Sequence, residues 1–229
     1  MSNTADAPAE TAAAAEPKKA RRATRRKDDV SSRDLLLRAA RKEFASKGLE
    51  GARVDEIARK AGVNKQLVYH HFSNKETLYR AVLEEAYARI RAEESKLDGR
   101  DGDPREVMAR LVAFSFDYLN ANRDFVALLT DENLHRGRHL KKSENLPQMH
   151  SPLIAMIEET LKRGVATGQF RAGVDPVHLY ISIAGLGFFY FNNIHTLSSI
   201  FECKFNDKDK IAERRAHVVD VVMRSLRPD

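Results

Sequence analysis

A cluster of polar side chains near the N-terminal third of the chain has the chemistry needed to bind nucleic acid. The segment 54–73 reads VDEIARKAGVNKQLVYHHFS, and its second half contains Lys65, Gln66, Tyr69 and His70. On an α-helix these four positions share one side near the N-terminal turn. Lysine and glutamine hydrogen-bond to base edges, and tyrosine binds phosphate oxygens. The spacing predicts a helix that reads the major groove of double-stranded DNA.

The residues around this cluster predict a helix-turn-helix that would present it. Ala58 is small where two helices would cross, Gly62 stands where the turn needs a positive φ, and Val68 anchors the second helix. Asn64 is a suitable N-cap for that helix. We also predict it as one of the residues that contact DNA. The remaining apolar positions complete a small core: Ile57, Ala61 and Val63. A helical hairpin that binds nothing is the alternative.

The start of the next helix offers a second anchoring point for DNA. Ser73 and Glu76 have the spacing of a capping box, which predicts a helix that opens at Ser73. Lys75 and the free backbone N–H groups of that first turn could hold a phosphate. We therefore expect a phosphate contact at Lys75.

Apolar residues recur at intervals of three and four from Ser31 onward, so the sequence predicts an all-α fold without strands. Ser31 or Ser32 would cap the first helix, and Gly48 would end it. Three pairs of a capping residue and a proline mark later helix starts, at Asp103-Pro104, Ser151-Pro152 and Asp175-Pro176. The predicted helices cover residues 32–47, short segments near 54 and 65, 73–97, 104–121, 123–141, 152–167, 176–201 and 207–226.

The chain divides into three predicted parts. Residues 1–30 end in the basic run KKARRATRRK and lack large apolar side chains, so we expect a disordered tail. That tail either keeps the protein soluble or contacts DNA phosphates as a basic arm. Residues 31–78 form the predicted helix-turn-helix domain, and residues 79–229 form a larger helical domain.

Composition excludes several classes of protein. Lys and Arg outnumber Asp and Glu by 39 to 33, a net charge of +6 that suits a polyanionic partner. The single cysteine, Cys203, rules out an internal disulfide framework and favours a cytoplasmic protein. The longest apolar run, 179–191, is too short to span a membrane. No phosphate loop or nucleophile motif is present, so we expect neither an enzyme nor a cofactor.

Residues 33–87, which include LVYHHFSNKETLY, resemble the DNA-binding domain of TetR-family transcriptional regulators. The resemblance implies a homodimeric repressor of about nine helices whose C-terminal domain binds a small inducer and thereby releases the operator. It also implies that His71 and Phe72 pack inward. Many members have Thr or Ser before the second helix, whereas this chain has Ala52-Arg53, so a side-chain cap is missing and Arg53 is expected to approach the DNA backbone. The DNA contacts implied by position are Lys65, Gln66, Tyr69, His70 and Lys75.

Two C-terminal stretches, RGVATGQFRAGVDPVHLY and FFYFNNIHTLS, are similar to the branch that includes repressors of pyrimidine and nicotinate catabolism. This similarity implies an effector that is a nitrogen heterocycle or a small aromatic acid. Aromatic and polar side chains on the predicted helices are the candidates for its pocket: Phe114, Tyr118, Glu132, Arg136, His139, Phe188, Asn192 and His195.

The predicted helix from Pro176 is apolar nearly all round, which requires burial. Paired with the last helix, it would form a hairpin that doubles into a four-helix dimer interface. An internal core is the alternative. A dimer would place two recognition helices on half-sites ~34 Å apart, on a roughly palindromic operator.

Three other functions remain open. Glu132, His135 and His139 share one helix face, which would suit a metal-responsive regulator. The neighbouring cations in HRGRHLKK oppose that interpretation. The other two are an architectural DNA-binding protein without a sensor, for which an effector would not change DNA affinity, and an enzyme that turns over a bound heterocycle.

Overall fold

The computed structural model describes residues 31–97, 102–144 and 146–228. The predicted tail, residues 1–30, lies outside the described residues, as do residues 98–101. Within the described residues the chain is all-helical, with no strand, as the periodicity predicts. The helices are α1 (Ser32–Gly51), α2 (Val54–Ala61), α3 (Lys65–His71), α4 (Lys75–Glu94), α5 (Pro104–Ala121), α6 (Arg123–Leu134), a 3₁₀ turn (Leu140–Lys142), α7 (Leu146–Ala166), α8 (Pro176–Asn192), α9 (Ile194–Ile200) and α10 (Lys208–Ser225).

Four helix starts carry the side-chain caps that the sequence predicts. The side chains of Ser31 and Asn64 accept hydrogen bonds from the backbone N–H groups of the first turns of α1 and α3. Asp103 and Asp175 do the same for α5 and α8, each followed by a proline in the first turn. These caps satisfy N–H groups that have no partner inside the helix.

Two helix starts differ from the prediction. α4 is capped by Asn74 rather than Ser73, because the Asn74 side chain accepts from the Thr77 N–H at 2.8 Å while its own backbone is extended. α7 begins at Leu146, six residues before the predicted start, and Pro152 lies inside the helix. Pro147 occupies the second helical position instead, where the N–H that proline lacks would have no helical partner.

Two helix ends also differ. α6 ends at Leu134 rather than near 141, because Arg136 and Gly137 adopt positive φ and the Gly137 N–H donates back to the Glu132 carbonyl. The predicted helix 176–201 is two helices, which separate at Asn193, where the backbone leaves the helical region. The Asn193 side chain donates to the Phe189 carbonyl and so competes with the continuing helix.

Two hydrophobic cores divide the described residues, and α4 contributes to both. Leu78, Val82 and Leu83 pack with α1, α2 and α3 in the first core, which also includes Leu128 of α6. One turn later, Ala86 and Ile90 pack in the second core with residues from α5 to α10. A movement of α4 therefore acts on both cores.

A buried carboxylate joins the first two helices. Glu43 of α1 has no exposed surface, and its oxygens accept hydrogen bonds from Lys47 at 2.7 Å and from Lys60 of α2 at 2.5 Å. Hydrogen bonds from the two lysines lower the pKa of Glu43 to about 2, against the opposing effect of burial. The carboxylate is therefore charged at neutral pH and fixes α2 against α1.

The α8–α10 hairpin is only half covered in the single chain. One face of α8 packs inward, and α8 approaches α5 closely at Gly187, where a Cβ atom would lie 3.0 Å from Leu119. The opposite face exposes Ile181 at 57% and Phe189 at 59% of their surface, and Val221 of α10 is exposed nearby. The alternative of a purely internal core is therefore wrong for α8, and its burial in a dimer stays a prediction. None of the described helices is long and apolar enough to span a membrane.

Candidate nucleic-acid interface and ligand cavity

Helix α3 presents polar side chains to solvent over a single apolar anchor. Val68 is almost fully buried, while Tyr69 keeps 48% of its surface exposed. Asn64 is occupied by its cap, because its side chain accepts from the Gln66 N–H at 2.9 Å. The other predicted recognition residues are exposed on the same helix: Lys65, Gln66 and His70. The structure thus brings the predicted DNA contacts of α3 together on one free surface.

The turn between α2 and α3 follows the sequence prediction. Gly62 has a φ of 69°, the left-handed conformation that favours glycine. Its N–H and that of Val63 donate back to the carbonyls of Arg59 and Ala58. Ala58 is buried where α2 crosses α3. The two helices are thereby held in a fixed relation, which allows α3 to enter a groove as a rigid element.

Asp55 is a member of this surface that the sequence prediction missed. Its carboxylate lies 2.7 Å from Lys65 Nζ and 4.0 Å from Arg53 Nη2. The hydrogen bond from Lys65 lowers the pKa of Asp55 below its usual value. Arg53 forms no side-chain cap on α2, as its type predicts. Because Asp55 precedes Lys65 by ten positions across a turn, no local pattern indicates this pair.

Lys75 is held by backbone carbonyls at the end of α1. Its Nζ donates to the Glu50 carbonyl at 3.3 Å and to the Ala52 carbonyl at 3.2 Å. Both bonds are long, and the side chain is only half-buried. Lys75 therefore joins the start of α4 to the start of the helix-turn-helix, and its contact with phosphate remains a prediction.

His71 and Phe72 pack inward, as the resemblance implies. Nε2 of His71 lies 2.8 Å from Oγ of Ser32, which joins α3 to α1. Phe72 is buried, and the Arg33 guanidinium lies 5.4 Å from the centre of its ring. The C-terminal end of α3 is thus attached to α1, and its N-terminal end remains free.

A cavity of about 280 Å³ lies between α4, α5, α6 and α8. Its walls are mostly apolar, and aromatic rings come from three of the four helices. The lining residues are Tyr87, Ile90, Arg91, Glu94, Ser115, Leu119, Phe125, Leu129, Asn133, Tyr180, Ile181, Ala184, Gly185 and Phe188. Its volume is at the low end for ligand pockets, which suits a small molecule.

One end of the cavity is charged. Arg91 and Glu94 of α4 lie with Nη1 and Oε2 2.8 Å apart, and their side chains are only 10% and 5% exposed. Burial raises the pKa of Glu94 to about 7, although Arg91 acts against this rise. The sequence prediction missed both residues, because a charged pair at a spacing of three is typical of an exposed helix face.

Comparison with known proteins decides the family. Residues 36–82 match the family model of bacterial regulatory proteins of the tetR family, and residues 104–222 match the tetracyclin repressor-like C-terminal domain. This chain belongs to the TetR family. Membership makes it a transcriptional regulator rather than an enzyme.

The TetR-family assignment agrees with individual relatives. The chain is 37% identical over 196 residues to the HTH-type transcriptional repressor NicS of Pseudomonas putida, an alignment that covers 86% of this chain and 92% of that protein. The transcriptional regulator SCO4942 of Streptomyces coelicolor superimposes with a TM-score of 0.63 at 26% identity, over 86% of this chain and all of the other. A regulator from Rhodococcus RHA1 has the same fold, with a TM-score of 0.68 at 18% identity over 87% and 99% of the chains.

Only one of the eight predicted ligand residues of this TetR-family chain, Phe188, lines the cavity. Tyr118 is buried one layer behind it, with its ring 5.9 Å from that of Phe125. The ring of Phe114 lies 5.8 Å from that of Tyr118. Asn192 and His195 are exposed, and Asn192 accepts a hydrogen bond from Thr130. Helical periodicity identifies such residues but not the layer in which each one lies.

Glu132 and His139 form a closed pair away from the cavity. Both are buried, His139 Nδ1 lies 2.7 Å from Glu132 Oε2, and Glu132 also accepts from the backbone N–H groups of His139 and Leu140. Arg136 is exposed on the turn between them. The ring of His135 packs edge-to-face against that of His139 with centroids 5.7 Å apart, and its Nδ1 lies 2.8 Å from the Asp131 carbonyl of α6. Among the described residues, no group of three or more His, Cys, Asp or Glu side chains could hold a metal ion.

Helix α6 connects the cavity with the DNA-binding helices. Phe125, Leu129 and Asn133 line the cavity from one face of α6. From the same helix, Asp124 pairs with Arg41 of α1 at 2.6 Å. Asp131 Oδ2 accepts from the Leu49 N–H at 2.9 Å and from the Tyr79 hydroxyl at 2.8 Å. These bonds attach α6 to both α1 and α4.

Proposed function

We propose that this TetR-family regulator is a DNA-binding transcriptional repressor that a small effector releases from its operator. One observation carries the proposal: α6 lines the cavity with one face and is bonded to α1 through Asp124 and Asp131. A ligand that displaces α6 would therefore displace the helices that position α3. The name of NicS as a repressor supports the direction of regulation.

The cavity supports a small aromatic or N-heterocyclic acid, linked to a catabolic pathway, as the effector. Phe125 and Phe188 offer ring faces from two helices, and Arg91 supplies a cation. Rings pack favourably in offset or edge-to-face geometry against such walls. A volume of about 280 Å³ favours one or two rings over a long acyl chain.

The release mechanism depends on a difference in affinity. The effector shifts the equilibrium only if it binds the released conformation more tightly than the operator-bound one. The bonds of Asp131 to Leu49 and Tyr79 make α6, α1 and α4 move together. The helix-turn-helix, residues 31–78, would then change its orientation relative to residues 79–229.

We propose that the functional unit is a homodimer formed through α8 and α10. The exposed apolar side chains of this hairpin, among them Ile181 and Phe189, would be covered by the same surface of a second copy. The two copies of α3 would then address half-sites about one DNA turn apart, ~34 Å, on a roughly palindromic operator. We place this unit in the cytoplasm, where the operator is located.

Operator release tests the proposal. A DNA fragment selected from a random pool by the full-length protein serves as the operator, and fluorescence anisotropy measures its dissociation. We expect at least one compound in a panel of small aromatic and heterocyclic acids to weaken binding by about 5- to 150-fold, the usual range of such coupling. If ligands bind and none changes operator affinity, the protein is an architectural DNA-binding protein.

A further inference from the structure

The ion pair at the polar end of the cavity leaves buried hydrogen-bond donors without partners. Arg91 and Glu94 are the two charged side chains among the described residues that line the cavity. Their contact at 2.8 Å does not satisfy the geometry of a hydrogen bond, and both Nε and Nη1 of Arg91 are buried without a hydrogen-bond partner. Nη2 donates to the Tyr180 hydroxyl at 3.3 Å, which is long for a hydrogen bond.

Arg91 would gain hydrogen bonds from an added acceptor, because two of its buried nitrogen atoms have no hydrogen-bond partner. A guanidinium has five N–H donors in a planar fork that matches the two oxygens of a carboxylate. Buried donors without partners lose the hydrogen bonds that water would give them. A ligand carboxylate in place of Glu94 would supply acceptors for Nη1, which has no hydrogen-bond partner, and for Nη2, which has only the long bond to Tyr180.

Glu94 is a weak competitor for that position. On its own helix it faces Arg91; α5 contributes Ser115, and α8 contributes the Tyr180 phenol. From α7, the apolar side chains of Leu153 and Met156 lie on its other side. Among the described residues that line the cavity and the neighbouring surface between α4 and α7, Arg91 is the one cation beside Glu94. Its charge favours the ionised carboxylate, but burial opposes it more strongly. Burial therefore raises the pKa of Glu94 to about 7.

We propose that an effector with a carboxylate on an aromatic ring binds in this cavity with its carboxylate on Arg91, in place of Glu94. The ring then lies among Phe125, Leu129 and Phe188 at the apolar end. This inference rests on the proposed function, because it assigns the chemistry of the same cavity. It adds the residue that selects acids over neutral analogues.

Binding of an acid to Arg91 should depend on pH. Two carboxylates that share one buried arginine cannot both stay ionised at low cost, so Glu94 takes up a proton when the effector binds. The affinity for an acid is then high below pH 7, where Glu94 already carries its proton. It falls as the pH rises above about 7, because binding must then protonate Glu94.

Isothermal titration calorimetry of the full-length protein tests the assignment with two matched pairs of probes. Nicotinate and benzoate carry the carboxylate, and nicotinamide and benzamide are their neutral analogues. We expect the acids to bind about 10- to 100-fold more tightly than the amides, since hydrogen bonds to a charged group contribute about 1.5–3 kcal/mol. The substitution Arg91→Met should abolish this preference. Arg89→Met, on the exposed face of the same helix, should keep it.

The substitution Glu94→Gln tests the second half of the proposal, including the case in which Arg91→Met fails to fold. This variant keeps the shape of the side chain and removes its negative charge. We expect the acids to bind it more tightly than they bind the wild type at pH 8, with an affinity that is flat between pH 6 and 8. Titrations in buffers of different ionisation enthalpy should show proton uptake by the wild type and none by Glu94→Gln.

Three results would overturn the assignment. These are equal binding of acids and amides by the wild type, an acid preference that survives in folded Arg91→Met, and the failure of both acids to bind. None of them overturns the proposed function if another compound still releases the operator. If ligands bind in the cavity and none of them releases the operator, the proposed function is refuted instead.

Discussion

At the scale of residues, two buried glutamates show how the same side chain acquires opposite properties. Two lysine hydrogen bonds lower the pKa of Glu43 to about 2. Burial beside a single arginine raises the pKa of Glu94 to about 7. Both are nearly inaccessible to solvent, but at Glu43 the two lysine hydrogen bonds outweigh the effect of burial, whereas at Glu94 burial outweighs the effect of Arg91. Glu43 therefore has a structural role, whereas Glu94 is available for exchange with a ligand.

Glu43→Gln should lower the free energy of unfolding by about 2 kcal/mol at pH 7, because a buried ion pair loses its charge. Solvent screening at the partly exposed Lys47 and Lys60 keeps the loss below the full value of the pKa shift. The folded pKa of Glu43 is below the unfolded value of 4.5, so its contribution is complete above pH 4.5 and is lost as the pH falls towards 2. Urea unfolding between pH 2 and pH 7 measures both effects.

The exposed pair Glu56–Arg59 provides the control for Glu43. Glu56→Gln should leave the midpoint of urea unfolding nearly unchanged, because solvent screens this pair. Equal midpoints for the two variants would show that the Glu43 carboxylate does not join α1 to α2.

Lys65→Ala should weaken operator binding by about 10-fold, because this is the expected effect of losing the base-edge or phosphate contact that we propose for Lys65 at the start of α3. Lys96→Ala is the matched control: both lysines are more than half exposed and pair with one carboxylate, but Lys96 follows the end of α4. Fluorescence anisotropy at fixed salt compares the two. An equal loss of affinity in both variants would mean that net charge, rather than α3, determines binding.

Sequence patterns identify residues whose roles depend on near neighbours. Asn64 and Gly62 could be predicted because a cap and a positive φ are local properties of the chain. Arg91 and Glu94 could not, because α8 covers them from a position almost ninety residues away. For the same reason, the sequence does not reveal that Phe114 and Tyr118, which we predict as pocket residues, are absent from the lining of the described cavity.

At the scale of elements, α6 carries the connection between the two cores. Its Asp131 contacts the end of α1, where Gly48 has a φ of 66° and a Cβ atom would lie 2.6 Å from Asp131 Oδ1. The sequence predicts Gly48 as a helix stop, which is a local property. The contact with Asp131 is not local, so the sequence gives no reason to expect that α6 ends against α1. Helix starts with side-chain caps were likewise predictable, whereas the break at Asn193 was not.

Gly48→Ala should destabilise the protein more than Gly137→Ala does. Both glycines have a positive φ that disfavours an L side chain, and Gly48 combines its φ of 66° with a ψ of 177°, a region that is nearly restricted to glycine. Only at Gly48 does the new methyl group also displace a carboxylate, because a Cβ at Gly137 has no neighbour within 4 Å. Thermal unfolding of the two variants measures the difference. Identical melting temperatures would mean that neither the backbone at Gly48 nor the Asp131 carboxylate resists the added methyl group.

At the scale of the whole molecule, the exposed apolar face of α8 and α10 is the surface through which we propose that two copies associate. The sequence indicates an apolar helix, but only the fold shows that one of its faces is covered and the other is not. Self-association on a twofold axis would cover Ile181 and Phe189 and pair two copies of α3. Operator binding by a dimer then requires both copies, and loss of the interface reduces DNA affinity without any change at α3.

Phe189→Glu should convert the dimer into folded monomers, because the substitution places a charge in the apolar interface. Leu134→Glu is the control, since Leu134 is even more exposed but lies at the end of α6. Sedimentation velocity and circular dichroism measure association and folding. A Phe189→Glu variant that remains dimeric would place the interface elsewhere on the molecule.

The most direct test of effector-controlled DNA binding measures the linkage between effector affinity and operator affinity. Calorimetry measures the effector affinity of the free protein and of the protein–operator complex, and anisotropy measures the operator affinity with and without saturating effector. If the effector releases the operator, it should bind the free protein more tightly than the complex. The ratio should equal the factor by which it weakens operator binding, because the coupling is reciprocal. Equal effector affinity for the free and DNA-bound protein would contradict the account.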